Sequence, residues 1–473
     1  MTMTNWLPDL SGKSGPLYLQ LADAIEDAIA NNSLPAGEKL PPQRNLAFDL
    51  KVTIGTIGRA YALAHERGLV TGEVGRGTYV LGKTDGQTAP TPYSSDGIAG
   101  TRIQDAPADK GRFDTTAAPD VGQNAVLEPL IASVIRKYPH EVVNYTRHFP
   151  QHWLEAGRQW LNQENAPADA SNIVITNGAH AGAVAAITAF TSPGDRIVFE
   201  ELTYTQISRS VKIAGRRVAI AASDEYGMIP DEFERICNQQ HPTMAFLMPS
   251  IHNPTLATMP YERRVAIANI AARHNVWLIE DDTYGVMTRS NIPKIADIAP
   301  ERTFLLGSLS KAVTAGLRCG WAACPPHCAQ RLRVTHKLMT GGVSFLLAET
   351  TAQMVLSGQA SALLDKCSAE VEWREKLARK IFAGYDFVSS PHVPILWLKL
   401  PEPWLASTFK AAAYENGLLI DDEDEFKAGR IERNYHRVRI AFSSPTDRND
   451  IENGFTTLRQ LLENGQVGYE GSI

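Results

Sequence analysis

The chain has no run of about 18 consecutive apolar residues, the least a helix needs to cross a bilayer, so no membrane-spanning helix is expected. Cysteine is scarce: Cys237, Cys319, Cys324, Cys328 and Cys367 are the whole set in 473 residues. An odd, sparse set excludes a disulfide framework and fits a reducing cytoplasm. Cys319, Cys324 and Cys328 lie close together but without paired C-x-x-C spacing, so no metal is assigned. Positive charge is not in excess either. A formal charge of −6 offers no global attraction to nucleic acid or anionic membrane, and any such binding needs a local patch. The N-terminal stretch MTMTNWLPDL lacks a basic segment followed by an apolar core, so it is not read as a signal peptide.

What is present divides unevenly. Single cores rarely grow past roughly 250–300 residues, so more than one domain is expected. Residues 84–113, TDGQTAPTPYSSDGIAGTRIQDAPADKGRF, are rich in Ser, Thr, Gly, Pro and Asp and follow neither helical nor strand period. They read as a flexible linker between residues 1–83 and 114–473. Before the linker, Tyr18, Leu21, Ile25 and Ile29 form one apolar stripe on a first helix. A second short helix buries Leu46 and Leu50, and a third turns Ile57, Ala60, Tyr61 and Ala64 inward, with Gly68 as its stop. LVTGEVGRGTYVLG then reads as a hairpin. Three short helices and a hairpin make a winged helix-turn-helix pattern.

Charge favours DNA as its partner. From residue 39 to 83, Lys39, Arg44, Lys51, Arg59, Arg67, Arg76 and Lys83 outnumber Asp49, Glu66 and Glu73. Thr53, Thr56 and Arg59 fall off the third helix's apolar stripe, where they face phosphates or base edges. The plainer alternative is a small helical interaction module with solvated charges. Residues 15–82 resemble the DNA-binding domain of the GntR family of bacterial regulators, through PLYLQLADAIEDAI, LPAGEKLPPQRNLAFDLKVTIGTIGRAYALAHERGLV and GRGTYV. The resemblance implies DNA contacts by Arg44, Thr53, Gly55 and Thr56, and wing positions at Arg76 and Gly77. The chain departs from the family at Ile54, where relatives often have arginine.

After the linker, NIVITNG, RIVFEEL, RRVAIAA, TMAFLMPS, VWLIEDD, TFLLGS and RCGWAAC read as strands alternating with helical stretches such as ERRVAIANIAARHN. That alternation predicts an α/β domain with a mostly parallel sheet, whose ligands collect beyond the carboxyl ends of the strands. The unusual residues fall there. TNGAHAG puts a tight turn at Gly178 before a helix of small residues, a ready anion site. GSLSKAVTAGLRCGW places Lys311 between Ser308 and Arg318; IHNPT supplies Asn253; IEDDTYG supplies Glu280, Asp281, Asp282 and Tyr284. Each taken singly has a dull reading, as a connection, a loop cluster or a surface charge. Together they specify a carboxylate for a pyridinium nitrogen, a phenol and an amide for a ring oxygen, a phosphate cradle and an amine for an aldehyde. That set describes pyridoxal 5′-phosphate.

Residues 114–473 resemble the class I aminotransferase fold, fold-type I. The resemblance implies Lys311 as the Schiff-base lysine, Asp281 on the pyridine nitrogen, and Asn253 and Tyr284 on the 3-oxygen. It further implies Gly178, Ala179, His180, Ser308 and Arg318 around the phosphate, Tyr204 stacked on the ring, and Arg439 on a substrate carboxylate. Arg437 is expected to point elsewhere. Tyr145 implies a contact with a neighbouring subunit's phosphate. Pro150 and Glu155 stand where relatives have glycine and arginine, and His180 where many have glutamine. The whole chain resembles the MocR-type regulators, which implies a homodimeric, cytoplasmic bacterial transcription factor acting on a double-stranded operator of two half-sites. In it the cofactor, alone or as an external aldimine with a small amino compound, sets DNA binding. A working aminotransferase carrying an autoregulatory DNA-binding domain is the alternative, and a sensor of the cofactor itself a third reading.

Overall fold

The computed structural model describes residues 6–8, 10, 16–31, 33–35, 37–66, 69–73, 77–80, 100–102, 106–161, 170–431 and 433–470. The chain divides into two compact units, 1–103 and 104–473.

In the first unit, α1 (Leu17–Ala30), α2 (Gln43–Asp49) and α3 (Ile54–Glu66) precede an antiparallel pair, β1 (Val70–Glu73) and β2 (Gly77–Val80). The residues spaced for a helical stripe are the ones that pack. Leu21 and Ile25, Leu46, and Ile57, Ala60 and Ala64 are buried together, with Val70 and Val80 closing the strand end. The Tyr61 hydroxyl donates to the Pro41 carbonyl at 2.8 Å, which ties α3 to the segment entering α2.

In the second unit, every apolar run expected to be a strand is one. The seven-stranded sheet has the order Ile173–Thr176, Gly320–Ala323, Thr303–Ser308, Trp277–Asp281, Met244–Leu247, Arg196–Glu200, Arg217–Ala221. Only Gly320–Ala323 runs antiparallel to its neighbours; the other strand pairings of this sheet are parallel. Its reversal matters for function, because the start of an antiparallel strand lies at the edge where its parallel neighbours end. Helices cover the sheet, and the helix Ala179–Phe190 is rich in alanine and glycine because it lies close on the strands. A Cβ at Gly182 would stand 3.3 Å from Leu306 and 3.4 Å from Thr176. A second, antiparallel sheet of Phe387–Ser390, Val393–Lys399, Arg437–Ala441 and Asp421–Asp422 packs with the helices Gln359–Ile381 and Arg448–Glu470 over its own core.

One expected boundary moves. The linker reading of 84–113 runs too far at its C-terminal end. Gly111–Arg112 pairs in parallel with Leu418–Leu419, and Phe113 is buried against Phe455, ring centroids 5.7 Å apart. A pairing this short leaves no period in the sequence. Residues 84–99 of that reading lie outside the described residues. Among the described residues no helix is long and apolar enough to cross a membrane, and no cluster of His, Cys, Asp and Glu is arranged to hold a metal ion.

Candidate functional site

The carboxyl edge of the large sheet gathers the residues singled out in its loops. Asp281 is the last residue of its strand. Its carboxylate accepts from the Thr283 backbone N–H at 3.0 Å and from the Thr283 hydroxyl. Burial raises its pKa, while the Thr283 hydrogen bonds and the positive charge of Lys311 pull the other way. Asp281 is surrounded by protein yet keeps some exposure. Lys311 is half-buried in the turn that follows Thr303–Ser308. Tyr284 is buried, its hydroxyl 2.7 Å from Thr116 Oγ1, and burial pushes its pKa up to about 12.

Consecutive side chains along a strand point to opposite faces, and the three carboxylates of IEDD separate accordingly. Glu280 is fully buried and accepts from the backbone N–H groups of Ile295 and Ala296 at 3.1 and 2.8 Å, at the start of the helix Ile295–Ile298. Burial pushes its pKa up to about 7. Asp282 pairs with Lys294 at 3.2 Å. Of the three, Asp281 is the one that is only partly buried.

The residues expected around a phosphate lie together at one end of this edge. Gly178, with φ +89°, precedes the helix Ala179–Phe190, and no side chain caps that helix. Its first N–H groups therefore have no partner within the helix. A Cβ on Gly178 would stand 3.4 Å from Arg318 Nη2. Arg318 itself has φ +47°, a left-handed backbone uncommon for a side chain of this size, as the chain turns into Gly320–Ala323. Gly320 is pinned between Thr176 and Ser308 in the sheet register, and a Cβ there would meet the Gly307 carbonyl at 2.5 Å. Ser308 is buried, with its Oγ accepting from the Ser310 N–H at 3.4 Å. His180 lies edge-on to Tyr204, centroids 6.1 Å apart, and its Nδ1 is buried without a partner. Burial and the Arg318 charge lower its pKa, so the imidazole is neutral near pH 7. Ser210 Oγ lies 3.4 Å from His180 Nε2. Neither Ser210 nor Ser310 was expected here, although Ser310 sits beside the lysine.

The other end holds Arg439, 2% exposed. Its Nη1 donates to Asn253 Oδ1 at 2.9 Å and its Nη2 to the Asp114 carbonyl at 2.6 Å; Nη2 also donates to Asp421. Asn253 and Arg439, 186 residues apart in sequence, are thus directly joined. Arg437 does not point elsewhere by alternation, since residues two apart on a strand share a face. Its guanidinium instead reaches the Trp397 carbonyl at 3.0 Å and Asp386 at 3.3 Å.

Tyr145 stands apart, 87% exposed. The two departures beside it have local roles. Pro150 is the N-cap residue of the helix Gln151–Trp160, and Glu155 forms a two-pronged pair with Arg158 at 2.9 and 2.7 Å.

In the first unit, Arg44 is exposed on α2, and Thr53, Gly55 and Thr56 lie at the start of α3. The Thr53 hydroxyl accepts from the Thr56 N–H at 3.2 Å, so it caps the helix as well as facing outward. Arg59 is exposed but lies 4.1 Å above the Tyr18 ring centroid, held by its own unit. Gly77 opens β2 opposite Glu73; Arg76 lies outside the described residues.

Comparison with known proteins matches both units. The model for Aminotransferase class I and II matches residues 132–457, more than half of the chain, and that for bacterial regulatory proteins of the gntR family matches 17–80. An uncharacterized HTH-type transcriptional regulator of Bacillus subtilis, YdeF, is 27% identical over 97% of both chains. The vitamin B6 salvage pathway transcriptional repressor PtsJ of Salmonella typhimurium is 25% identical over 90% of this chain and 94% of its own. The crystal structure of LysN, the α-aminoadipate aminotransferase of Thermus thermophilus, superposes with a TM-score of 0.66 at 19% identity. It covers 77% of this chain and 96% of that one, and it establishes the fold of the second unit. The chain belongs to the aminotransferase class I and II family, joined here to a gntR-type winged helix-turn-helix domain in the arrangement of the MocR-type transcription regulators.

Proposed function

We propose that this protein is a DNA-binding transcription regulator whose second unit binds pyridoxal 5′-phosphate, and that the cofactor, alone or with a small amino compound, sets its DNA binding. One observation carries the reading. Lys311, Asp281, Tyr284 and the Asn253–Arg439 pair share a sheet edge with the Gly178–Ser308–Arg318 cradle, in a chain that also has a gntR-type head. Relatives lend support by name: PtsJ is a repressor of vitamin B6 salvage, and the LysN structure is complexed with N-(5′-phosphopyridoxyl)-L-leucine.

The donor set fits the cofactor. An uncapped helix start, Arg318 and the unpartnered His180 Nδ1 suit a phosphate dianion. Asp281 suits a cationic ring N–H, whose charge would offset the cost of burying its carboxylate. When bound, pyridoxal phosphate supplies an aldehyde that condenses with a primary amine and a ring that withdraws electrons. Lys311 provides that amine from the chain. Asp281 keeps the proton on the ring nitrogen. Asn253 has its Nδ2 hydrogens for the ring oxygen, since its Oδ1 serves Arg439. Tyr284 can donate to the same oxygen once Thr116 donates to Tyr284 instead of accepting from it. Tyr204 and His180 wall the cleft.

Tyr145, turned outward with Val143 and Leu338 also exposed on the same unit, supports a homodimer in which Tyr145 serves the other copy. Two reading heads then call for an operator of two half-sites, and DNA as partner fits a bacterial cytoplasm. A ligand shifts DNA binding only if it prefers one arrangement of the dimer.

Fluorescence anisotropy on DNA flanking the protein's own gene, with and without pyridoxal phosphate and a panel of amines, tests this. The cofactor should change the affinity in wild type and leave it unchanged in Lys311→Ala. Cofactor that binds visibly but never alters DNA affinity would defeat the regulatory reading. The convergence of Lys311 and Asp281 also favours a second reading, a working aminotransferase, which steady keto-acid release from amino acids would reveal.

A further inference from the structure

Arg439 is the residue expected to grip a ligand's carboxylate, and it already grips one. Its guanidinium carries five N–H donors in a fixed fork. Both two-pronged edges it can offer a carboxylate, end-on and side-on, use Nη2. The two Nη2 hydrogens go to the Asp114 carbonyl and to Asp421 Oδ2. One Nη1 hydrogen goes to Asn253 Oδ1. The Nε–H is buried with no partner, a single donor without a neighbour to complete a fork.

Asp421 does not reach Arg439 by chance. The two residues lie directly opposite each other on neighbouring antiparallel strands, and they are 0% and 2% exposed. The Arg439 plane is further set by Phe426, 4.7 Å from the guanidinium carbon to the ring centroid. The segment carrying Asp421 is tied down on its C-terminal side. Asp422 pairs with Lys410 at 3.5 Å, Glu423 accepts from the N–H groups of Tyr435 and Arg437, and Glu425 pairs with the buried Arg209 at 2.8 Å. Asp421 therefore has little room to swing aside. An entering carboxylate must displace Asp421 from the guanidinium, or accept a single donor.

We infer that Asp421 is a specificity-determining residue: it occupies the Arg439 fork as an internal competitor, so the cleft favours simple amines over the α-amino acids that carry the same side chain. The ligand preference rests on the proposed cofactor site, whereas the competition for Arg439 does not.

Two measurements on the full chain test the two parts. The first needs no cofactor. The melting temperature of Asp421→Ala is compared with that of wild type in sodium acetate and in sodium chloride at equal ionic strength. Acetate can fill the vacated position beside Arg439, so it should raise the melting temperature of the variant by roughly several degrees more than that of wild type. Equal shifts overturn the competition, and Asp421→Ser carries the same comparison if the alanine variant does not fold. The second uses protein loaded with pyridoxal phosphate and follows its visible absorbance during titration with L-alanine and with ethylamine. Asp421→Asn should lower the ratio of the alanine to the ethylamine dissociation constant by about tenfold or more. An unchanged ratio overturns Asp421 as the selector. If wild type takes up no cofactor, the cofactor reading fails, and the acetate comparison still decides the role of Asp421.

Discussion

Two arginines mark the two ends of the cleft, and they live in opposite states. Arg318 is exposed, stands beside an uncapped helix start and has no carboxylate partner among the described residues. Arg439 is buried and joined to the fully buried Asp421. A guanidinium without a partner gains the whole attraction of an incoming phosphate. One inside a buried ion pair gains only the difference between the newcomer and the partner it loses. On the proposed reading, the same residue type makes a binding site at one end and a filter at the other.

The largest expected effect ignores both ends. Lys311→Ala removes the only amine proposed to bond the cofactor, so the visible band of covalently attached pyridoxal phosphate should vanish while far-ultraviolet circular dichroism is unchanged. Persistence of that band would take Lys311 out of the cleft chemistry. Next comes Arg318→Ala, which should weaken cofactor binding by about a hundredfold, as the loss of a two-pronged phosphate contact implies. Equilibrium dialysis measures it, and a change below about threefold would erase the contrast between the arginines.

A third effect tests whether Asp281 alone of its neighbours serves the cleft. Glu280 has its pKa pushed up from 4.5 to about 7 by burial. A carboxyl whose folded pKa is raised holds its proton more tightly when folded. Its contribution is therefore full below pH 4.5 and is lost as pH rises to about 7. The loss is about 3 kcal/mol, given roughly 1.4 kcal/mol per unit. Denaturant curves of wild type and Glu280→Gln across that range should diverge by this slope, with cofactor affinity at one pH little altered. Parallel curves would show that burial does not govern Glu280. The smallest effect lies in the other unit. Arg44→Ala should weaken DNA binding and reduce its log–log salt slope by about one, leaving the cofactor end untouched. An unchanged slope would remove Arg44 from the phosphate backbone.

Much of this was legible along the chain. Apolar runs bounded by glycine and charge marked the strands of the large sheet, and the strand-to-loop junctions marked Gly178, Asn253, Asp281 and Lys311. Helical spacing marked the core of the head. Other features were not legible, because they depend on partners remote in sequence. The acidic run Asp421–Glu425 looks like a solvated loop, yet Asp421, Asp422, Glu423 and Glu425 are buried, each against a cation or backbone N–H from elsewhere. Thr53 looks like a DNA contact and is also a cap; Arg59 looks free and rests on Tyr18. The expected linker overran into Gly111–Phe113 because its pairing with Leu418–Leu419 is only two residues long.

The sequence by itself determined which segments are strands and helices and which polar residues stand at their ends, because periodicity and strand termini are local properties. Tertiary structure alone decided which of those polar groups remain available. Asp281 keeps some exposure while Glu280 and Asp282 are buried, and Arg318 has no carboxylate partner among the described residues while Arg439 has one, because an ion pair forms only where folding brings distant strands into register.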